Sequence, residues 1–214
     1  MSAVTERQHR EDIVKYGALL YDRGLAHGSA GNISVRLADG SILISPTNSS
    51  LGDLDPETLS KLAPDGTLIS GNPPSKEGFF HLAVYEERKE AKAIVHLHST
   101  HSVAIACLCH ADTSNVLPAL TAYQLMRVGR LPLIPYFRPG DRNLAKAVRQ
   151  TARKTAAMLL ANHGPIISAR SLQEAIYASE ELEETAKIFF LVDGRKTSLL
   201  TCEAIQDIEA VFGN

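Results

Sequence analysis

The sequence predicts an α/β fold in one domain, and three observations carry that prediction. The chain has 214 residues, which fits one large domain with a full hydrophobic core or at most two small ones. Apolar residues make up 44% and charged residues 21%, an ordinary balance for a soluble globular protein. Short β-prone runs alternate with segments of helical period, with no internal repeat, low-complexity tract or linker between them.

Residues 8–23 place Ile13, Val14, Leu20 and Tyr21 at helical spacing, with Gly24 as the stop. The β-prone runs 33–37 and 41–45 flank Ala38-Asp39-Gly40, a hairpin signal. Turn residues follow at 46–50 (PTNSS) and 63–67 (APDGT), and residues 67–70 read as a further strand. Residues 76–90 put Phe79, Phe80, Ala83 and Val84 on one helical face and the charges on the other, with Ser75 as N-cap. Residues 92–98 (KAIVHLH) form a β-branched strand, and 100–108 a helix opened by Ser99 or Thr100. Residues 131–137 read as a strand and 141–153 as a charged helix. The runs 158–162 and 165–169 are strands around the turn His163-Gly164. Ser171 and Glu174 form a capping box at the head of a long helix, 172–192, that stops at Gly194.

Composition excludes several partners. A formal charge of -2 provides no basic field for nucleic acid. No apolar run approaches the roughly 18 residues of a membrane span. The polar N-terminal stretch lacks the apolar core of a secretory signal. Three cysteines, an odd number, argue against a disulfide framework. A cytoplasmic protein is expected. Cys107, Cys109 and His110 could form a metal cluster, but they end an apolar stretch and read better as small core residues, as does Cys202.

The unusual chemistry lies in residues 95–101, VHLHSTH, which hold three of the chain's eight histidines. Side chains i and i+2 of a strand share a face, so His96 and His98 point together, about 6.5 Å apart at Cα. Both imidazoles can then reach one ion at about 2.0–2.1 Å, while Leu97 points into the core. The pair reads equally as metal ligands or as two hydrogen-bonded histidines. His163 sits where Gly164 and Pro165 restrain the backbone, as a presented ligand or simply as a turn. Glu77, in a first helical turn, is explained by the helix dipole unless it joins the same site.

Taken together, HGSAGNISVR, ISPTNSS, PPSKE, IVHLHSTH and LLANHGP resemble the class II aldolase and adducin family, in order and spacing, from about Ile13 to about Phe190. The resemblance implies a single domain over residues 1–214, folded as a three-layer α/β/α sandwich around a mixed, mostly antiparallel sheet, and a homotetramer. It implies zinc, or another divalent metal, on His96, His98 and His163, with Glu77 as the acid/base carboxylate that also approaches the metal. It places a phosphate pocket on Gly31, Asn32, Thr47, Asn48 and Ser75. Physics agrees in part: a capped helix N-terminus offers free N–H groups to an anion, and Gly31 allows close backbone approach. A tyrosine from the neighbouring subunit aligns with Tyr123.

Family epimerases carry aspartate where this chain has Glu77, and the fuculose-phosphate aldolases carry serine where it has Lys76. PSKE, LANHGP and EELEETAK resemble most the branch that decarboxylates 3-oxo-tetronate 4-phosphates in four-carbon acid sugar catabolism. The expected substrate is thus a sugar-acid phosphate, the expected products dihydroxyacetone phosphate and carbon dioxide. The alternative is an aldolase of the fuculose-phosphate type, which releases an aldehyde. Lys76 is a candidate contact to the substrate carboxylate or phosphate, or else a solvated lysine. Arg127 is a further candidate anion contact, a surface ion pair being its simpler reading. A non-catalytic module of the adducin kind predicts loss of the metal histidines, and all three are present.

Overall fold

A computed structural model describes residues 5–138 and 140–212. The first four residues of the polar N-terminal stretch and the last two of the expected domain lie outside them. The elements are α1 (Glu6–Asp22), β1 (Asn32–Arg36), β2 (Ile42–Ile44), β3 (Ser60–Leu62), β4 (Leu68–Ser70), α2 (Gly78–Glu87), β5 (Ala93–His96) and α3 (Thr100–Ala106). They continue with α4 (Ala122–Arg127), β6 (Leu133–Ile134), α5 (Arg142–Ala152), β7 (Ala157–Leu160), β8 (Gly164–Ala169), α6 (Leu172–Val192) and α7 (Cys202–Phe212). The eight strands form one sheet in the order β4-β3-β2-β1-β5-β8-β7-β6. Among the described residues only the β6–β7 pair is parallel.

Alternation along the strands creates the layers. Ile33, Val35, Leu43, Val95 and Leu97 face α1 and α6, meeting Ile13, Leu20 and Ile176. Farther along that face, Leu159 and Ile167 meet Ile105 of α3 and Leu182 of α6. The opposite-facing residues, among them Ile44, Ile94, Met158, Leu160 and Ile166, pack on Phe80 and Val84 of α2 and Leu144 and Val148 of α5. This is the α/β/α sandwich the motifs implied, around a mixed and mostly antiparallel sheet. Each fully buried Leu or Ile contributes about 1.5–3 kcal/mol. An exposed pair such as Arg7–Glu11 is screened by water and adds little, so the two apolar faces decide the fold.

Caps hold the helix ends. Thr5 accepts from Gln8 N–H, Asp141 from Asn143 N–H and Ser171 from Glu174 N–H. The helix over 172–192 has the expected bounds. Several other elements differ. The strand expected over 131–137 contracts to Leu133–Ile134, because Pro132 and Pro135 have no N–H to pair. The helix expected from Lys76 starts at Gly78, and Ser75 caps the preceding turn by accepting from Glu77 N–H. Ser99 makes no side-chain cap to α3. The Glu183 carboxylate of α6 accepts from His101 N–H and Ser102 N–H instead, a cap delivered from 81 and 82 residues away. All three cysteines are exposed rather than core. α3 ends at Ala106, so Cys107 and Cys109 fall beyond its buried stripe, and α7, which carries Cys202, buries none of its residues. The strand β3 and the helices α4 and α7 went unseen in the sequence, being three, six and eleven residues long. Of these, α7 is amphipathic and could have been found.

Arg36 closes α2. Its guanidinium donates to the carbonyls of Tyr85, Arg88, Lys89 and Ala91 and lies over the Tyr85 ring. One side chain thereby satisfies carbonyls that a helix C-terminus otherwise leaves open. Arg36→Met, which keeps the stem and removes the donors, is expected to lower unfolding free energy by about 2–4 kcal/mol. Urea denaturation measures it, and a loss under about 0.5 kcal/mol would contradict the capping role.

Candidate active site

The sheet register assembles the site. Asn32 opens β1 and lies directly opposite His96, which ends β5; His96 in turn lies opposite Ile166 of β8. The start of β1, the end of β5 and the start of β8 therefore meet at one end of the sheet. His96 and Asn32 share the face that packs on α2, whose N-cap residue is Glu77. His98 follows β5, and His163 sits in the turn from β7 to β8 after Asn162, which takes a left-handed φ of 56°.

Glu77, His96, His98 and His163 bring one ligand atom each within 4.8 Å of all the others. The three imidazole centroids stand 4.7–4.9 Å apart with planes crossed at 75–79°, a three-bladed arrangement. His96 Nε2 is 3.0 Å from His98 Nε2 and 3.4 Å from Glu77 Oε2, and His163 Nε2 is 3.1 Å from Glu77 Oε1. Ligands on one tetrahedral ion with bonds of about 2.0–2.1 Å stand roughly 3.3 Å apart. Three of the donor pairs already approach that spacing.

Tautomer chemistry makes the case for a cation. His96 Nδ1 lies 2.8 Å from Pro165 O, and only an N–H can donate to a carbonyl. The ring proton is thus on Nδ1, and Nε2 presents a lone pair to another imidazole and to a carboxylate. Toward Glu77 Oε2, 3.4 Å away, this sets two acceptors against each other, an arrangement that a cation between them stabilises. Burial pushes His96 down to about 3, and burial together with His163 lowers His98. Both rings are neutral at pH 7, the form that binds metal. Burial raises the Glu77 carboxyl, but His96, His163 and the Asn32 amide outweigh it and hold it below the usual carboxylate range. With His96 neutral, the contacts from His163 Nε2 at 3.1 Å and Asn32 Nδ2 at 2.7 Å still lower it. The donor set fits a divalent ion.

Glu77, His98 and His163 line a cleft of about 700 Å³, while His96 is fully buried beside them. Gly31, Thr47, Asn48, Ser75 and Lys76 line it, so the expected phosphate residues and the histidine cluster open onto the same space. The chain segments carrying Pro46 and Pro74 pair there, with Thr47 N–H donating to Pro73 O and Ser75 N–H to Ser45 O. The first N–H groups of α2 are less available than a bare helix end suggests. Glu77 N–H is taken by Ser75 Oγ, Gly78 N–H by Ser75 O and Phe80 N–H by Glu77 O. Asn32 lines the cleft, but both ends of its amide have partners and it is 3% exposed. Among the described residues Glu77 is the one acidic residue in the lining. Phe79, Tyr136 and Phe137 complete a wall that no motif had marked.

Tyr123, expected as a contact to a neighbouring subunit, lies on α4, is 58% exposed and does not line this chain's own cleft. Arg127 lies 5.5 Å over the Tyr177 ring and borders a different hollow with Arg88 and Arg170. Among the described residues Cys107, Cys109 and His110 form no ligand group.

Two glycines hold the geometry. Gly31 has φ +86°, and a Cβ there would lie 3.0 Å from His96 O. At Gly164 a Cβ would lie 2.2 Å from Leu97 O, a backbone atom that cannot rotate away. Gly164→Ala is expected to cost about 1–3 kcal/mol of stability and to displace His163, lowering metal content. Thermal unfolding and metal analysis test this; a variant with unchanged stability would refute the close-approach argument.

A cluster of three histidines and a glutamate at the end of such a sheet defines a class. The chain belongs to the class II aldolase and adducin family: the Class II Aldolase and Adducin N-terminal domain matches residues 11–190. Among its relatives, a 3-oxo-tetronate 4-phosphate decarboxylase of Escherichia coli is 48% identical over 97% of this chain and 98% of that protein. An L-fuculose phosphate aldolase of Haemophilus influenzae is 34% identical over 88% and 86%. The crystal structure of YgbL from Escherichia coli superposes with a TM-score of 0.93 at 47% identity, covering 95% of this chain and 98% of that one. Decarboxylases and aldolases are both carbon–carbon lyases, and this chain is an enzyme of that kind. Among the described residues no helix is long and apolar enough to cross a membrane.

Proposed function

We propose that this protein decarboxylates a 3-oxo-tetronate 4-phosphate to dihydroxyacetone phosphate and carbon dioxide. The observation that carries the reading is the placement of Glu77. Among the described residues it is the sole carboxylate lining a cleft that His98, His163, Thr47, Asn48, Ser75 and Lys76 also line, and it converges with His98, His163 and the buried His96. The similarity to decarboxylases over nearly the whole chain supports the choice of reaction. We assign zinc to His96, His98 and His163, with Glu77 adjoining.

A zinc ion there supplies Lewis-acid stabilisation of negative charge on a substrate oxygen, worth several kcal/mol. The chain's own residues do the rest. Lys76, Ser75 and Thr47 anchor the phosphate and so fix C1, C2 and C3 over the cluster. The C1–C2 bond breaks, carbon dioxide leaves, and the electron pair passes to the C3 carbonyl, giving the enediolate of dihydroxyacetone phosphate. A proton then adds at C2. Glu77 takes it from water and delivers it there, directly or through an intervening water. Phe79 and Phe137 help to exclude bulk water from the face of the enediolate. Lys76 serves the phosphate rather than the carboxylate, because a carboxylate gripped by a cation resists leaving.

A class II aldolase reaches the same enediolate by breaking a C–C bond to an aldehyde, and the likeness to the fuculose-phosphate aldolase keeps that as the second reading. Product analysis decides. Synthetic 3-oxo-tetronate 4-phosphate is expected to yield carbon dioxide and dihydroxyacetone phosphate in equal amounts. No carbon dioxide from it, with aldehyde released from a ketose phosphate, would overturn the proposal in favour of the aldolase. We further assign a cytoplasmic homotetramer. The exposure of Tyr123 on α4 supports its role as a contact to a neighbouring subunit's cleft.

A further inference from the structure

Behind Glu77 runs a buried polar chain that the reaction as written does not use. Tyr85 Oη is 2.9 Å from Ser34 Oγ, and Ser34 Oγ is 2.7 Å from His81 Nδ1. His81 Nε2 is 2.5 Å from Asn32 Oδ1, and Asn32 Nδ2 is 2.7 Å from Glu77 Oε2. Asn32, Ser34, His81 and Tyr85 are all 3% exposed or less. The chain is a zipper between two elements. Glu77, His81 and Tyr85 recur every four residues, on one face of the α2 segment. Asn32 and Ser34 are two apart, on one face of β1.

Every hydrogen bond in it has only one possible direction. An ionised carboxylate accepts and cannot donate, so the Asn32 amide must turn its NH2 to Glu77. Its carbonyl oxygen then faces His81, whose Nε2 must carry the proton. Burial pushes His81 down to about 4, so the ring is neutral at pH 7 and holds a single proton. Nδ1 therefore accepts from the Ser34 hydroxyl, and Ser34 Oγ accepts from Tyr85. Without this chain the amide could flip and set Asn32 Oδ1 against the carboxylate, two acceptors in a buried site.

We propose that His81, backed by Ser34 and Tyr85, is a positioning residue for Glu77. It locks the Asn32 amide so that the NH2 holds Oε2, which leaves Oε1 directed at His163 and the cleft. The arrangement explains why four polar groups sit in a layer otherwise filled by Phe80, Val84 and Ile94, where apolar side chains would carry no satisfaction requirement. The proposal rests on the proton-carrying role assigned to Glu77 above.

Two measurements test it. Neutron diffraction from crystals of the metal-loaded protein at pH 7 is expected to place deuterium on His81 Nε2 and none on Nδ1. Deuterium on Nδ1 alone would reverse the chain and overturn the proposal. In kinetics, His81→Phe is expected to lower kcat about 10–100-fold, as for other groups that orient a site residue, with KM and metal content nearly unchanged. Ser34→Ala and Tyr85→Phe, which leave the ring in place, are expected to give smaller losses in that order, and they carry the test where His81→Phe does not fold. In a Glu77→Gln background the added His81→Phe or Ser34→Ala change is expected to alter kcat by less than about twofold. Full additivity of the losses would mean a purely structural role and would overturn the proposal. Wild-type protein that releases no carbon dioxide would end the decarboxylase reading; the neutron result would still decide this one, with kinetics followed on aldol cleavage.

Discussion

Replacing His98 with alanine is expected to leave a folded protein that retains no zinc and turns over at least about 10³-fold more slowly. The estimate takes the several kcal/mol that a Lewis acid contributes, at one tenfold step per 1.36 kcal/mol. His98 is the better position to change because it is only partly buried. His96 is fully buried, touches Phe80 and bonds Pro165 O, so His96→Ala opens a cavity and loses stability as well as metal. Metal analysis of the purified variant, paired with kcat, gives the answer. Full activity in a metal-free His98→Ala protein would rule out the mechanism.

The second large effect belongs to Glu77. Glu77→Gln keeps the size of the side chain, and its amide oxygen can still accept from Asn32 Nδ2. It removes the charge and the titratable proton. Zinc and phosphate binding are expected to survive, while kcat falls about 10²–10⁴-fold, the usual scale for a positioned acid or base. The contrast with His98→Ala is the informative part: one variant loses metal and rate together, the other loses rate alone. Unchanged turnover in Glu77→Gln would remove Glu77 as the proton carrier, and loss of metal from it would make Glu77 chiefly a ligand.

The legibility of the site follows from what each residue needs. His96 and His98 sit two apart where β5 ends, and the strand spacing read from the sequence puts them on one face. His163 and Glu77 come from turns 67 and 19 residues from His96, and nothing in their own neighbourhoods says which way they point. The motif resemblance supplied that, and the β1–β5–β8 register accounts for it. Ser75 shows the limit of local reading. Its capping chemistry was visible, but the helix it was expected to open begins three residues later, because the turn at Lys76-Glu77 uses the hydroxyl first. Asn32 shows another. Its place in the cleft was expected, but the commitment of its side chain to His81 and Glu77 depends on a helix 46 residues downstream of it.

What the sequence by itself determined is whatever has a period or a local partner: the long helix from Ser171, the hairpin at Asp39-Gly40, the apolar faces of strands and helices, and the paired imidazoles. Only the tertiary structure decided which long-range groups complete those elements. Glu183 caps α3 from α6, Arg36 closes α2 from β1, and the Tyr85–Ser34–His81–Asn32 chain braces Glu77. The physical reason is that a buried polar group takes its partner from whatever lies across the packed layer. That neighbour is set by strand register and helix docking, which leave no repeat in the order of residues.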